Sequence, residues 1–231
     1  MKRKLEVACF TAESAHIAFA SGADRLEFCA AYESGGITPY LHDFIQIRSQ
    51  IKIPIFIMIR NRAGNFVYNQ KEIELMQNQI NKFKDAGADG FVFGCLLSNN
   101  QIDCESCEVL LKACTHLPCT FHRAFDETSD KTASLKILTE LGFSSILTSG
   151  GATNAIEGKD EIDKISQQST IEEKSISIIA GGGIRSANLD MFKKINNLEW
   201  FHTSALTSNK KRIDGIEIEK IKFKLKQFDE Q

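Results

Sequence analysis

The amino-acid sequence predicts an α/β fold, namely one (β/α)8 TIM barrel that spans residues 1–231 as a single domain. Eight short apolar runs alternate with segments of helical periodicity and begin about 20–36 residues apart, a pattern typical of parallel βαβ units. The length of 231 residues suits a barrel of this kind. The tripeptide Gly-Ala-Asp closes a helix and opens a strand at 22–24 and again at 87–89, which indicates a repeated unit. The alternative, an open doubly wound sheet, would want a Gly-x-Gly-x-x-Gly turn after the first strand, and none is there.

The apolar runs are expected to form the strands of the barrel in this order: Leu5–Phe10, Arg25–Cys29, Pro54–Arg60, Gly90–Gly94, Pro118–Phe125, Ser145–Ser149, Ser177–Ala180 and Trp200–Ser204. Helical periodicity predicts helices between them and after the last: Ala12–Ser21, Lys71–Asp85, Cys104–Ala113, Lys131–Leu141 and Ile216–Phe228. The polar stretch Asn154–Lys174 is expected to contain a further helix.

Composition and charge exclude several classes of protein. The net charge of −2 is spread along the chain, without the basic stripe of a nucleic-acid-binding protein. The longest apolar run, Pro54–Ile59, is too short for a membrane span, and no secretory signal is visible. Seven cysteines are an odd number in a chain long enough to form a real core, which favours reduced thiols. We therefore expect a cytoplasmic protein that binds neither nucleic acid nor membrane.

Ionisable residues fall on the inward face of several predicted strands. In the third strand the isoleucines share the face expected to meet the helices, so Arg60 points into the barrel. The same logic turns Glu6, Glu27, His122 and His202 inward. A buried charge without a partner costs several kcal/mol, so these groups form either a structural ion-pair layer or a ligand site. Their position at the C-terminal strand ends, where barrel active sites lie, favours the ligand site.

The same end of the barrel collects further polar residues. Arg123 and Asp126 follow His122 within five residues, and they add a permanent cation and a carboxylate. Two glycine-rich turns close the sixth and seventh strands, and bare backbone there can present N–H groups to an anion. We predict that these turns and two hydroxyls form an anion site, and that a helix starting near Ser186 or Ala187 adds its dipole. The predicted anion-binding residues are Ser149, Gly150, Gly151, Gly181, Gly182, Gly183 and Ser204. The alternative is that the glycines serve tight turns only.

The cysteines suggest two kinds of site. Cys104 and Cys107 have metal-like spacing and could share a helix face with Cys114, but a structural zinc site wants four ligands. Buried thiols that act as small hydrophobes are the better interpretation there. Cys29 ends the second strand beside Glu27 and is the candidate ligand for a soft metal ion.

Taken together, these motifs resemble the CutC family, named for copper homeostasis, from Leu5 to about Ala205. The resemblance rests on long segments at 22–29, 35–39, 57–60, 66–68, 87–94, 120–126, 146–151, 181–184 and 201–205. It implies a cytosolic (β/α)8 barrel that forms homo-oligomers and handles copper, with copper(I) as ligand. The chain departs from the family at Ala8, where a cysteine is usual, and at Asn65, where a carboxylate is usual. Cys9 comes one residue later and faces the other way, which argues against a copper(I) site shared with Cys29.

Two functions follow as hypotheses. The first is a copper-binding homeostasis protein with Cys29 as a soft ligand. The second is an enzyme that acts on a small anionic or phosphorylated, sugar-like substrate. In the second, His122 would be the general acid/base, oriented by a carboxylate such as Glu27, and Arg60 and Arg123 would hold the anion.

Overall fold

The structure, a computed structural model, describes residues 2–171, 174–206 and 212–230. Eight parallel strands close into a barrel in which each strand pairs with the next and the last pairs with the first. The strands are β1 Lys4–Cys9, β2 Arg25–Phe28, β3 Ile55–Met58, β4 Gly90–Phe93, β5 Cys119–Phe121, β6 Ser145–Thr148, β7 Ser177–Ala180 and β8 Trp200–Thr203. The predicted fold class is therefore confirmed. A short antiparallel pair, Thr170–Ile171 with Lys174–Ser175, lies outside the barrel.

Helices cover the outside of the strands: α1 Ala12–Ala20, α2 Leu41–Arg48, α3 Gln70–Asp85, α4 Cys104–Cys114, α5 Ala124–Glu127, α6 Lys131–Leu141, α7 Lys159–Gln167 and α8 Gly215–Asp229. Local sequence explains where several of them begin. Asn69 and Glu72 form a reciprocal capping box at the start of α3, and Asp130 accepts an amide hydrogen at the start of α6. The short helix α2 was not among the predicted elements.

Three predicted elements differ in the structure. The fifth strand stops at Phe121, because the chain turns at His122 and Arg123 into the single-turn helix α5. Among the described residues of the polar stretch, only 159–167 are α-helical, since Asn154 caps a preceding turn. The prediction of a helix that starts near Ser186 or Ala187 is wrong. A four-residue 3-10 turn, Leu189–Phe192, stands there instead, too short to present a helix dipole to a ligand.

The strands separate an outer core from the barrel interior. Leu5, Val7 and Cys9 of β1 pack outward under the helices, together with the two isoleucines of β3 and with Ile59, which follows that strand. Cys29 packs inward, in a small interior cluster with Phe56, Met58 and Val92. The predicted face reversal at Cys9 is therefore confirmed. Among the described residues, no helix combines the length and the apolar character needed to cross a bilayer.

The cysteines of α4 are divided between core and surface. Cys107 and Cys114 are buried, as expected for thiols that act as small hydrophobes, whereas Cys104 is exposed. Each buried thiol contacts a second one from the adjoining strands or loops, Cys95 and Cys119 respectively. Within the described part of the chain, none of these thiols belongs to a cluster of three or more metal-ligating residues.

Candidate functional site at the barrel mouth

A cavity of about 350 Å³ opens at the C-terminal ends of the strands. Five of the seven residues predicted as catalytic line it: Glu27, Arg60, His122, Arg123 and His202. Glu6 lies one layer deeper and is fully buried. The remaining lining residues are Ala8, Phe10, Tyr32, Gly35, Met58, Phe66, Leu147, Gly182, Gly183, Arg185, Thr203 and Ser204. The mouth therefore combines ionisable groups with bare backbone and aromatic surface.

Glu6 lies at the bottom of the site. Its Oε2 accepts a hydrogen bond of 2.6 Å from Arg25 Nε, and its Oε1 lies 2.7 Å from His202 Nδ1. The Arg25 guanidinium lies between the rings of Phe56 and Trp200, 4.1 Å from each centroid. Burial acts to raise the pKa of Glu6, but the charges and hydrogen bonds of Arg25 and His202 outweigh it and lower that pKa to about 2. Sequence reasoning missed Arg25, although it shares the inward face of its strand with Glu27.

Above Glu6, His202 faces the second carboxylate. Its Nε2 lies 3.8 Å from Glu27 Oε2. Burial acts to lower the pKa of His202, but the negative charges of Glu27 and Glu6 outweigh it, so the pKa is raised. Burial, and then the charge of Glu6, raise the pKa of Glu27. Cys29 donates its thiol hydrogen to Glu27 Oε2 at 3.3 Å, while Oε1 has no hydrogen-bond partner in the described residues.

His122 has the opposite surroundings. Its Nδ1 accepts a hydrogen bond of 3.2 Å from the backbone N–H of Ala124, and its ring packs 4.6 Å from the ring of Phe66. Burial, and then the charge of Arg60, lower its pKa to about 3. The expectation that a carboxylate such as Glu27 orients His122 is wrong, because the Ala124 amide already occupies Nδ1. The histidine that a carboxylate does orient is His202, through Glu6.

Arg60 lines the cavity and also joins two loops. Its Nη1 donates to the carbonyl oxygens of Ser34 and Gly36 at 2.8 and 3.1 Å. Its Nη2 donates to that of Gly64 at 2.8 Å. The guanidinium also lies over the ring of Phe66 at 4.9 Å. These contacts use three of the five guanidinium N–H groups, and Nε has no hydrogen-bond partner among the described residues. The role of Arg60 in holding an anion therefore stays a prediction.

The glycine turn after β6 is already occupied by a carboxylate of the protein. Asp126 accepts the backbone N–H of Ser149 at 3.1 Å and that of Gly151 at 3.0 Å. It also accepts the Ser149 hydroxyl at 2.9 Å and Arg123 Nε at 2.8 Å. The N–H of Gly150 turns away to Thr148 Oγ1 at 2.9 Å. These contacts leave no free amide for an external anion. The anion-binding prediction is therefore wrong for Ser149, Gly150 and Gly151, and Asp126 serves to order this turn.

The glycine turn after β7 remains open to the cavity. Gly181 donates its N–H to the Thr148 carbonyl within the barrel ladder, at 2.9 Å, so it too is unavailable. Gly182 and Gly183 have φ of +98° and +85°, and their amides donate to no acceptor in the described part of the chain. They line the cavity beside Ser204. A Cβ placed on Gly182 would lie 3.6 Å from Arg123 Nη1, so that cation stands next to the open turn.

The mouth also gathers metal-ligating side chains. One donor atom from each of Glu6, Glu27 and His202 lies within 4.8 Å of the other two. Both oxygens of Glu6 are engaged by Arg25 and by the histidine. Cys29 stands behind Glu27, and burial together with that carboxylate raises the pKa of its thiol well above the usual range. The donors that remain are one imidazole nitrogen, one carboxylate and one protonated thiol.

Comparison with known proteins gives a consistent result. A sequence model of the CutC family matches residues 3–207. The copper homeostasis protein cutC homolog of Homo sapiens is 41% identical over 201 residues, which cover 87% of this chain and 72% of the human protein. The homolog of Caenorhabditis elegans is 38% identical over 209 residues, which cover 90% of this chain and 82% of the relative.

Solved structures resemble the chain at two levels. The crystal structure of CutC from Streptococcus agalactiae superposes with a TM-score of 0.82 at 30% identity, and covers 89% of this chain and all of that one (100%). A thiamine phosphate pyrophosphorylase from Pyrococcus furiosus has a TM-score of 0.65 at 14% identity, with 98% and 97% of the two chains covered. The second likeness shows the shared barrel fold alone.

Proposed function

The chain belongs to the CutC family, and we propose that it serves copper homeostasis through a barrel mouth that binds and transforms a small organic anion. One observation carries this proposal. His202, held by Glu6 at 2.7 Å, shares its cavity with the unpartnered N–H groups of Gly182 and Gly183. A carboxylate-oriented histidine next to free amide donors is an arrangement suited to acid/base chemistry on a bound anion.

Each group in the mouth has a role in this proposal. His202 moves the proton, because the neighbouring carboxylates raise its pKa and favour uptake of a proton, whereas burial and the charge of Arg60 lower the pKa of His122. Glu6 fixes the ring through Nδ1 and leaves Nε2 toward the cavity. The turn at Gly182 and Gly183 takes the anionic end of the ligand, with the positive charge of Arg123 beside it.

Phosphate-dependent stabilisation tests the anion end of the mouth. We expect inorganic phosphate at millimolar concentration and constant ionic strength to raise the melting temperature of the wild type. Gly182→Asp should abolish the shift, because its side chain would fill the turn and add negative charge. A Cβ there already lies 3.1 Å from Ser149 Cβ.

Gly142→Asp is the matched control. Gly142 has nearly the same φ, +92°, lies at the exposed C-terminus of α6, and would place its Cβ in open space. It therefore adds the same charge and a similar backbone strain away from the mouth. Equal phosphate shifts in all three proteins, or none in the wild type, would remove the anion site.

Copper is the ligand to which the relatives' names point, and copper(I) prefers soft thiolate donors. The residues of this mouth do not fit a site with two cysteines. Cys9 packs in the outer core, Ala8 stands where an inward thiol would be, and Cys29 is a buried protonated thiol. In a copper(I) competition titration we expect no tight site that depends on both Cys9 and Cys29. Tight binding that either Cys9→Ser or Cys29→Ser abolishes would contradict this, and Cys104→Ser supplies an exposed-thiol control.

A further inference from the structure

His122, which lines the cavity, has a single hydrogen-bond donor. Its Nδ1 accepts from the Ala124 amide, so the proton of the neutral ring is on Nε2. Nε2 is buried and has no hydrogen-bond partner among the described residues. A buried donor left unsatisfied costs about 1–3 kcal/mol, so this N–H calls for an acceptor from a ligand or a water molecule.

The surroundings of His122 fix the ring in this state. Phe66 packs on it, and a Cβ on Gly94 would lie 2.7 Å from Nδ1, so the close approach requires glycine there. The positive charge of Arg60 and the burial of the ring oppose a second proton. An imidazole that stays neutral can donate to an oxygen that gains negative charge and keep its own proton throughout.

Glu27 offers the complementary group in the same cavity. Its side chain is buried, and its Oε1 has no partner in the described part of the chain. Its Oε2 accepts the thiol hydrogen of Cys29 and faces His202, so only this oxygen of the carboxyl group is fixed by neighbouring residues. A carboxylate in an apolar setting is a stronger base than one in water.

We propose that the ligand of this mouth is an anionic carbonyl compound whose carbonyl oxygen accepts the Nε2–H of His122, while Glu27 removes a proton from the neighbouring carbon. The proposal rests on the proposed function, since it names the substrate class of the same site. His122 is in this view a donor to oxygen and not the general base.

The step balances within the protein and the ligand. The C–H bond breaks, and its electron pair forms a carbon–carbon double bond. The carbonyl π pair moves to oxygen, where the His122 N–H stabilises the charge, and the proton goes to Glu27. If His202 protonates that oxygen, it takes the same proton back as the carbonyl group re-forms and Glu27 returns its proton to carbon. No oxidant, reductant or second substrate is required.

A pair of matched probes tests the recognition of the carbonyl group. Dihydroxyacetone phosphate and glycerol 3-phosphate differ in one carbonyl group, and both carry the anion. We expect the wild type to bind the carbonyl compound about five- to tenfold more tightly, as one hydrogen bond to a polarised oxygen allows. His122→Asn keeps an acceptor near the Nδ1 position and loses the far donor, so this preference should vanish. His122→Gln retains a donor near the Nε2 position and should restore part of it.

A second readout follows the proton itself. In D2O the wild type should exchange the C–H hydrogens beside the carbonyl of the same probe for deuterium, measured by proton NMR. Glu27→Gln should slow this exchange at least about 100-fold while it leaves the binding of the probe in place. Gly142→Asp, remote from the mouth, is the control for handling and stability.

The outcomes separate the two proposals. If both phosphates bind equally and no exchange occurs, the carbonyl proposal is overturned and the anion site survives. If neither phosphate binds, the proposed function falls and the carbonyl proposal falls with it. If His122→Asn keeps the full carbonyl preference, His122 is not the donor.

Discussion

The two histidines of the mouth differ in what surrounds them, although both belong to the inward layer at the C-terminal strand ends. His202 stands between two carboxylates, which raise its pKa against the effect of burial. His122 stands between an aromatic ring, a backbone amide and an arginine, and its pKa falls to about 3. The surroundings of His202 therefore favour the cationic ring with two N–H groups, whereas those of His122 favour the neutral ring with one. A barrel mouth thus obtains two different chemical groups from one residue type through neighbours alone.

The largest expected effect, a loss of stability, comes from removing the Glu6 carboxylate that hydrogen-bonds to His202. Glu6→Gln would leave Arg25 buried without its ion-pair partner and would release His202. Breaking a buried pair in this way destabilises a protein by about 3–5 kcal/mol. Urea denaturation at neutral pH, followed by circular dichroism, should show a loss of this size.

Glu13→Gln is the matched control for that change. Glu13 pairs with Arg212 at the surface, where both side chains are mostly exposed, so its loss should cost no more than about 1 kcal/mol. Similar losses of stability in the two variants would mean that the bonds of Glu6 to Arg25 and His202 stabilise the fold no more than a surface ion pair does. The contrast between the two histidines would then lose its structural basis.

A smaller effect, of opposite sign at the two rings, should appear in the pH dependence of stability. The folded pKa of His122 is below the unfolded value, so this ring destabilises the fold as pH falls below about 6.5. Between pH 8 and pH 5 the unfolding free energy of the wild type relative to that of His122→Gln should fall by about 2 kcal/mol.

The folded pKa of His202 is raised, so the stability that this ring contributes is fully present below the unfolded pKa and is lost as pH rises. The advantage of the wild type over His202→Gln should therefore grow on acidification.

Unfolding free energies of the three proteins at pH 8 and pH 5 provide the measurement. Groups that contact neither ring largely cancel in the differences. Glu6 and Glu27 do not cancel for His202→Gln, because His202 acts on the pKa of each, so that difference reports the cluster of three residues. Shifts of the same sign for both variants would show that the two rings share one electrostatic environment, which would remove the distinction that the mechanism uses.

Much of the fold was predictable because it depends on local patterns. The alternation along β3 placed Arg60 inward, and the single-residue shift at Cys9 placed that thiol outward, as the structure shows. What failed were features that depend on competition for hydrogen bonds. No α-helix begins near Ser186, where Arg185 and Asn188 instead bond to Thr203 and to the Gly183 carbonyl across the loop.

The glycine turns show the same limit at the site. The turns after β6 and β7 look alike in sequence, and both present bare backbone at neighbouring strand ends. Asp126 fills the first, whereas the second stays open to the cavity. Nothing in either glycine motif distinguishes them, because the occupying carboxylate comes from a helix 22 or more residues earlier in the chain.

The sequence by itself determined the barrel, the inward face of each strand and the end at which polar residues gather, because strand alternation and the strand–helix repeat are properties of neighbouring residues. Only the tertiary structure decided which of those groups meet. His202 reaches Glu6 across 196 residues where β8 closes against β1, whereas His122 contacts the Ala124 amide and the ring of Phe66. Protonation states and free donors follow from these distances and from burial, and both are set when distant parts of the chain pack together.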